Sequence, residues 1–230
     1  MATTRESTDN VGVAERETLN RLSRRLTRAG VDCPSELLSD LAAYVELLAK
    51  WNKKINLTAL PVSPLSDDAV DRLIVEPVLA ARRVEAGDSL VIDVGSGGGS
   101  PAIPFLLAAP QIRLVMVEVK VRKCAFLREA LRQLALDRGS VENCRLEELL
   151  ARPELHESAD IVTVRAVRPD KKLFNAMQAF LRPGGRLFMF GAESSARPEL
   201  SPPFESGHIE VLLPSIGSQL VVLNKNTRLF

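Results

Sequence analysis

The chain has 230 residues, 46% hydrophobic and 26% charged, and a net charge of +1 at neutral pH. That length and balance suit a folded soluble protein of one domain plus an extension, with a sizeable core. They exclude a membrane span, because the longest apolar runs are far too short, and they neither require nor exclude a nucleic-acid partner, because a local basic patch is what counts there.

Residues 1–12 are polar and poor in apolar side chains, so order is not expected there. An amphipathic helix is expected from about Val13 to Arg28, closed by Gly30. A second starts at Pro34-Ser35, with Leu37, Leu38, Leu41, Val45 and Leu48 at helical spacing. It ends in Trp51-Asn52-Lys53-Lys54-Ile55-Asn56-Leu57-Thr58. Pro61 and Pro64 mark a linker, and Asp68 to about Arg83 reads as a third helix. These segments make a helical cap over residues 13–85.

From residue 86 the pattern switches. Strands are expected at Ser89–Val94, Ile112–Glu118, Val141–Arg145, Asp160–Val164 and Arg186–Phe190. Helices are expected at Ile103–Ala108, Arg122–Leu136 and Lys171–Leu181. Such alternation implies a mostly parallel sheet covered by helices on both faces. His208–Leu213 and Gln219–Asn224 fit a closing antiparallel hairpin. Cys33, Cys124 and Cys144 have no metal-ligand spacing, and with His156 and His208 as the two histidines no metal is expected. An odd cysteine count and the lack of a charged-then-apolar leader pattern point to the cytoplasm.

The densest signal is Val91-Ile92-Asp93-Val94-Gly95-Ser96-Gly97-Gly98-Gly99. A short apolar run ends in an acid, then a glycine turn, then a helix pattern, which is how a sheet strand presents a nucleotide-like ligand. Two registers compete. A dinucleotide fingerprint fits from Gly97 through Gly99 to Ala102, but it puts Pro101 inside the tight helix start. The other register, Asp93-x-Gly95-x-Gly97-x-Gly99, is the pattern of Rossmann-like methyltransferases that use S-adenosylmethionine (SAM). Glu118, ending the second strand, stands where an acid grips both hydroxyls of a ribose. Leu181-Arg182-Pro183-Gly184-Gly185 before a late strand, and the two terminal strands, support that register.

These pieces resemble the RsmG family, also called GidB, over about Leu41 to Leu223. The carrying motifs are Trp51–Thr58, Asp93–Pro104, Arg122-Lys123 with Phe126-Leu127, Arg145-Leu146-Glu147 and Arg165-Ala166-Val167. The resemblance implies a SAM-dependent methyltransferase fold with a seven-stranded, mostly parallel sheet. It implies methylation of guanine N7 in the 530 loop of 16S ribosomal RNA, with S-adenosylhomocysteine as product. It assigns Asp93, Gly95, Gly97, Gly99, Ser100, Glu118, Leu146, Glu147 and Arg165 to the cofactor, Arg165 also serving to position the substrate. Lys53, Lys120, Arg122, Lys123 and Arg168 are candidates for RNA phosphates, which position RNA without reading it. Trp51 is read first as an anchor between cap and core, and second as a stacking platform for a base. The expected partner is ribosomal RNA or the small ribosomal subunit, bound by a monomer.

Several positions depart from the family pattern. Asp71-Arg72-Leu73-Ile74-Val75-Glu76 replaces R-H-x-x-D-S, Ala102 replaces a glycine, Phe190 a lysine, and Ser218-Gln219 an R-H pair. Cofactor binding is therefore expected to survive better than substrate recognition. A SAM methyltransferase for a small molecule or protein, and a non-catalytic RNA-associated homologue, are the alternatives.

Overall fold

The computed structural model describes residues 3–166, 171–192 and 202–226. Two long helices open the chain, α1 (Thr3–Arg28) and α2 (Ser35–Asn52). A third helical stretch follows in three joined parts: α3 (Asp67–Val70), a π turn (Asp71–Val75) and α4 (Glu76–Ala81). Then come β1 (Leu90–Val94), α5 (Ala102–Ala108), β2 (Arg113–Val117), α6 (Val121–Gln133), β3 (Gly139–Glu142), β4 (Ala159–Arg165), α7 (Lys171–Phe180), β5 (Leu181–Ala192), β6 (Phe204–Leu213) and β7 (Ser218–Lys225). The seven strands form one sheet in the order β3-β2-β1-β4-β5-β7-β6. β1 to β5 are parallel, and β7 runs against both β5 and β6, which gives the closing hairpin expected from the sequence.

The central strands are buried on both faces, and alternate side chains divide between two core clusters. Val91 and Ile161 face the side covered by α1 to α6, where Leu22, Leu41, Tyr44, Ile74, Phe105 and Phe126 pack with them. Ile92, Val94, Val162 and Val164 face α7, against Met177 and Phe180. The buried residues of the helical cap are thus continuous with one face of the sheet.

The chain steps outward from β1 to β2 to β3, then returns to the other side of β1 as β4. In sheets with such a reversal, the ligand crevice lies beyond the carboxyl ends of the two strands at the switch, here β1 and β4.

Four expectations need correction. The first helix is already formed at Thr3 rather than Val13; extending a packed helix fixes one residue per added bond and so overrides a polar composition. The third helix is interrupted by its π turn. The expected strand at Val141–Arg145 lies earlier, at Gly139–Glu142, and Leu146–Ala151 is a 3-10 turn. The Arg182–Gly185 turn is absorbed into β5 as an irregularity, between the pairs Ala159–Leu181 and Ile161–Arg186.

Candidate cofactor and acceptor site

The glycine turn folds back over the end of β2. Gly95 N–H and Ser96 N–H both donate to the Val117 carbonyl, at 2.8 and 3.2 Å. Gly97 and Gly99 take φ of +55° and +84°, which side-chain-bearing residues adopt only with strain. Glu118 lies directly under this turn: its carboxylate accepts from Gly97 N–H at 2.9 Å and from Lys120 N–H at 2.8 Å. Asp93 is buried beneath, with Oδ1 accepting from the Thr163 hydroxyl at 2.5 Å and Oδ2 without a hydrogen-bond partner among the described residues.

The helical cap props up the far side of the turn. The Tyr44 hydroxyl, wholly buried on α2, donates to the Gly98 carbonyl at 2.7 Å. Burial pushes its pKa up, so it stays a donor. A Cβ on Gly98 would sit 3.1 Å from the Leu57 carbonyl, so backbone meets backbone there. Leu57 is held by Asn52, whose Oδ1 accepts from Leu57 N–H at 2.8 Å and Thr58 N–H at 3.0 Å, and whose amide donates to the Thr58 carbonyl at 3.1 Å. The Trp51–Thr58 motif therefore builds the support for the glycine turn. Trp51 packs edge-on against Phe126 of α6, with ring centroids 5.8 Å apart, in agreement with the anchor reading.

Arg165, at the end of β4, closes the crevice towards the cap. One Nη donates to Glu76 at 2.7 Å. The other donates to the Arg72 carbonyl and lies 3.3 Å from the Ser100 hydroxyl, which itself donates to the Leu73 carbonyl at 2.8 Å. The sequence explains why those two carbonyls are available. With α spacing residue 77 would donate to Leu73, and with π spacing to Arg72, but Pro77 has no N–H. The π turn next to a proline leaves two acceptors aimed at the site, and Arg165 and Ser100 fill them. Phe190 of β5 completes the enclosure, its ring centroid 4.7 Å from the Arg165 guanidinium carbon. Ala166, immediately after Arg165, is held at φ +55°.

Burial dominates the electrostatics. It raises the pKa of Asp93, against the hydroxyls of Ser96 and Thr163 and the charge of Arg165. It raises that of Glu76, against the Arg165 charge. It lowers that of Arg165, against the pull of Glu76 and Asp93. Burial also raises the Cys124 thiol, which donates to the Glu118 carbonyl at 3.1 Å and so serves as a prop rather than a nucleophile.

Asp93, Gly95, Gly97, Gly99, Ser100, Glu118 and Arg165 thus cluster at the carboxyl ends of β1, β2 and β4. Leu146 is buried in the core, and Glu147 is half-buried beside it on the 3-10 turn after β3. Asn143, at the base of that turn, donates to the carbonyls of Glu118 and Val119 at 3.0 and 3.1 Å. Lys53, Lys120 and Arg122 are exposed, and Lys123 Nζ lies 3.7 Å from where a Gly97 Cβ would stand. Arg168 lies outside the described residues. Sequence reasoning missed Tyr44, Thr163 and Asn143, whose types carry no signal alone, and treated Glu76 only as part of a departure.

Groups of the SAM type fit these residues. A carboxylate under the glycine turn suits a sugar diol, and the orphaned Asp93 Oδ2 is a buried acceptor suited to an ammonium group. A family model described as rRNA small subunit methyltransferase G matches residues 37–201. The chain belongs to the GidB family. A ribosomal RNA small subunit methyltransferase G of Syntrophotalea carbinolica is 33% identical over 180 residues, covering 77% of this chain and 80% of that protein. One of Neisseria meningitidis is 31% identical over 193 residues, covering 84% and 86%. The crystal structure of a predicted O-methyltransferase of Agrobacterium tumefaciens shares the fold, at a TM-score of 0.53 and 15% identity, over 67% of this chain and 82% of that one.

Against the GidB pattern, the departures have identifiable places. Ala102 is the buried first residue of α5, and Val75 is buried in the π turn. Arg72 pairs with Asp68 at 3.0 Å. Phe190 lies against Arg165, and Ser218 is buried at the start of β7 near the Glu76 carboxylate.

Proposed function

We propose that this GidB-family methyltransferase transfers the methyl group of SAM to N7 of a guanine in the 530 loop of 16S ribosomal RNA. The observation that carries the reading is the pairing of Glu118 with the Gly97 amide over the buried, half-satisfied Asp93. Bound SAM would supply an electrophilic methyl group on a sulfonium. Glu118 would hold the sugar, Asp93 and the turn around Gly95–Gly99 the methionine end, and the segment Asn143–Glu147 would border the adenine.

Guanine N7 presents a lone pair and no proton, so the chain needs to supply alignment and dryness rather than a base. The crevice has the means for both: its polar groups are held by backbone contacts, and the cap excludes water from one side. Lys53, Lys120 and Arg122 are exposed, Lys123 Nζ lies beside Gly97, and none of the four makes an ion pair among the described residues, which supports a role in holding phosphates. The reading places the protein in the cytoplasm, as a monomer acting without a metal on RNA of the small ribosomal subunit.

The test is methyl transfer from isotopically labelled SAM to small ribosomal subunits and to free 16S RNA, followed by nucleoside analysis. A single 7-methylguanosine in the 530 loop is expected; label in another nucleoside, or none, contradicts the proposal.

A further inference from the structure

We infer that Glu76 and Phe190 are positioning residues that fix the Arg165 guanidinium in place, so that Arg165 works as a keystone between cap, glycine turn and sheet rather than as a free hand for substrate phosphates. The inference rests on the methyltransferase reading and specifies how that site is held in shape.

Arg165 has few unspent donors. Glu76 takes one Nη, and the Arg72 carbonyl and Ser100 hydroxyl take the other. The Phe190 ring covers one face of the guanidinium. The Arg165 side chain is 17% exposed and that of Glu76 only 6%, so both charges are largely withdrawn from water. A buried pair of this kind holds its geometry because each alternative leaves a charge unpaired.

The contacts come from three separate elements. Glu76 and the Arg72 carbonyl belong to the helical stretch Asp67–Ala81, Ser100 follows the glycine turn and is itself bonded to the Leu73 carbonyl of that stretch, and Phe190 belongs to β5. Arg165 itself ends β4, two residues after Thr163, which binds Asp93. One side chain therefore ties the acceptor side of the crevice to its cofactor side. The aromatic partner matters physically: a guanidinium over a ring gains from the ring quadrupole, and a flat apolar surface also shields it from competing water. Ser218, buried at the start of the strand next to β5, has its hydroxyl within reach of the Glu76 carboxylate, and its neighbours Gln219 and Leu220 pair with Gly191 and Phe190. No cation stands at those positions to repel Arg165.

Two measurements test this on the full-length protein. The first is NMR of protein labelled with nitrogen-15 and carbon-13 at arginine. In the wild type the Arg165 side chain is expected to show distinct Nη signals and slow proton exchange, displaced by the ring current of Phe190. In Phe190→Leu the displacement should vanish, and in Glu76→Gln the Nη signals should merge. An Arg165 that exchanges like an exposed arginine in the wild type overturns the inference. The second is steady-state methyl transfer to small ribosomal subunits, with SAM affinity and thermal stability measured alongside. Phe190→Leu should lower kcat about tenfold, the scale of a desolvated cation–π contact, with SAM affinity within twofold. Phe190→Tyr should retain most of the activity. A Phe190→Leu protein that loses only thermal stability, at unchanged kcat and KM, overturns the inference. Restrained Arg165 signals together with no methyl transfer by the wild type would instead remove the RNA reading and leave the keystone standing.

Discussion

Alanine at Gly99 should damage this protein far more than alanine at Gly97, although both sit in the same turn. Gly99 has φ +84°, and a Cβ there would stand 2.7 Å from Ile103 Cδ1 and 3.3 Å from Leu127 Cδ2. Ile103 and Leu127 are both fully buried, so neither can swing into solvent. The backbone strain costs about 1–2 kcal/mol. Forcing a methyl group into packed core adds about 1–3 kcal/mol, for a total of about 2–5 kcal/mol. Gly97 has φ +55°, but its Cβ would meet only the Gly95 carbonyl at 3.6 Å and Lys123 Nζ at 3.7 Å. Alanine there should cost the strain alone, about 1–2 kcal/mol. Gly87, with open space around it and no unusual φ, is the control; alanine there should be neutral or stabilise by up to about 1 kcal/mol. Urea unfolding followed by the fluorescence of Trp51, the single tryptophan, measures all three. Equal stabilities for the Gly97 and Gly99 variants would refute the packing argument, because strain would then account for everything.

Three further outcomes are expected. Asn52→Ala removes the acceptor of two amides and should cost about 1–3 kcal/mol, with weaker SAM binding by calorimetry because the support under Gly98 loosens. Burial raises the pKa of Asp93 above its unfolded value, so its protonated form folds best and its ionisation destabilises the fold as pH rises through the folded pKa. Asp93→Asn should therefore raise the melting temperature at pH 7.5 by more than at pH 4, while weakening SAM binding; a lower melting temperature at pH 7.5 would count against the burial argument. Pro77→Ala restores an N–H that competes for the Leu73 or Arg72 carbonyl; the helix should gain stability while kcat falls about tenfold, the worth of one charge-assisted hydrogen bond. Unchanged kcat would separate the π turn from the site.

The mostly parallel sheet with its closing hairpin and the glycine turn were legible because they depend on local patterns: apolar runs of strand length, a strand-turn-helix switch at Gly95–Gly99, and an acid ending the next strand; the strand order was not, because it is set by long-range pairing. The Trp51–Thr58 motif could be recognised but not interpreted, since its purpose depends on a contact between Leu57 and Gly98 across the fold. The π turn was hidden because the apolar spacing of Asp67–Ala81 is that of an ordinary helix, and only the missing amide of Pro77 hints at it. Phe190 read as the loss of a cation; the structure shows a ring placed to receive one. The shift of β3 to Gly139–Glu142 reflects a short edge strand whose half-buried residues carry little pattern.

Calorimetric titration of SAM into the wild-type protein and into Glu118→Gln tests the cofactor site most directly. If the carboxylate under the Gly97 amide grips the cofactor's sugar, the wild type binds and the variant binds about ten- to a hundredfold more weakly, the worth of a hydrogen bond to a charged group. Equal affinities, or a wild type that does not bind SAM, would contradict it.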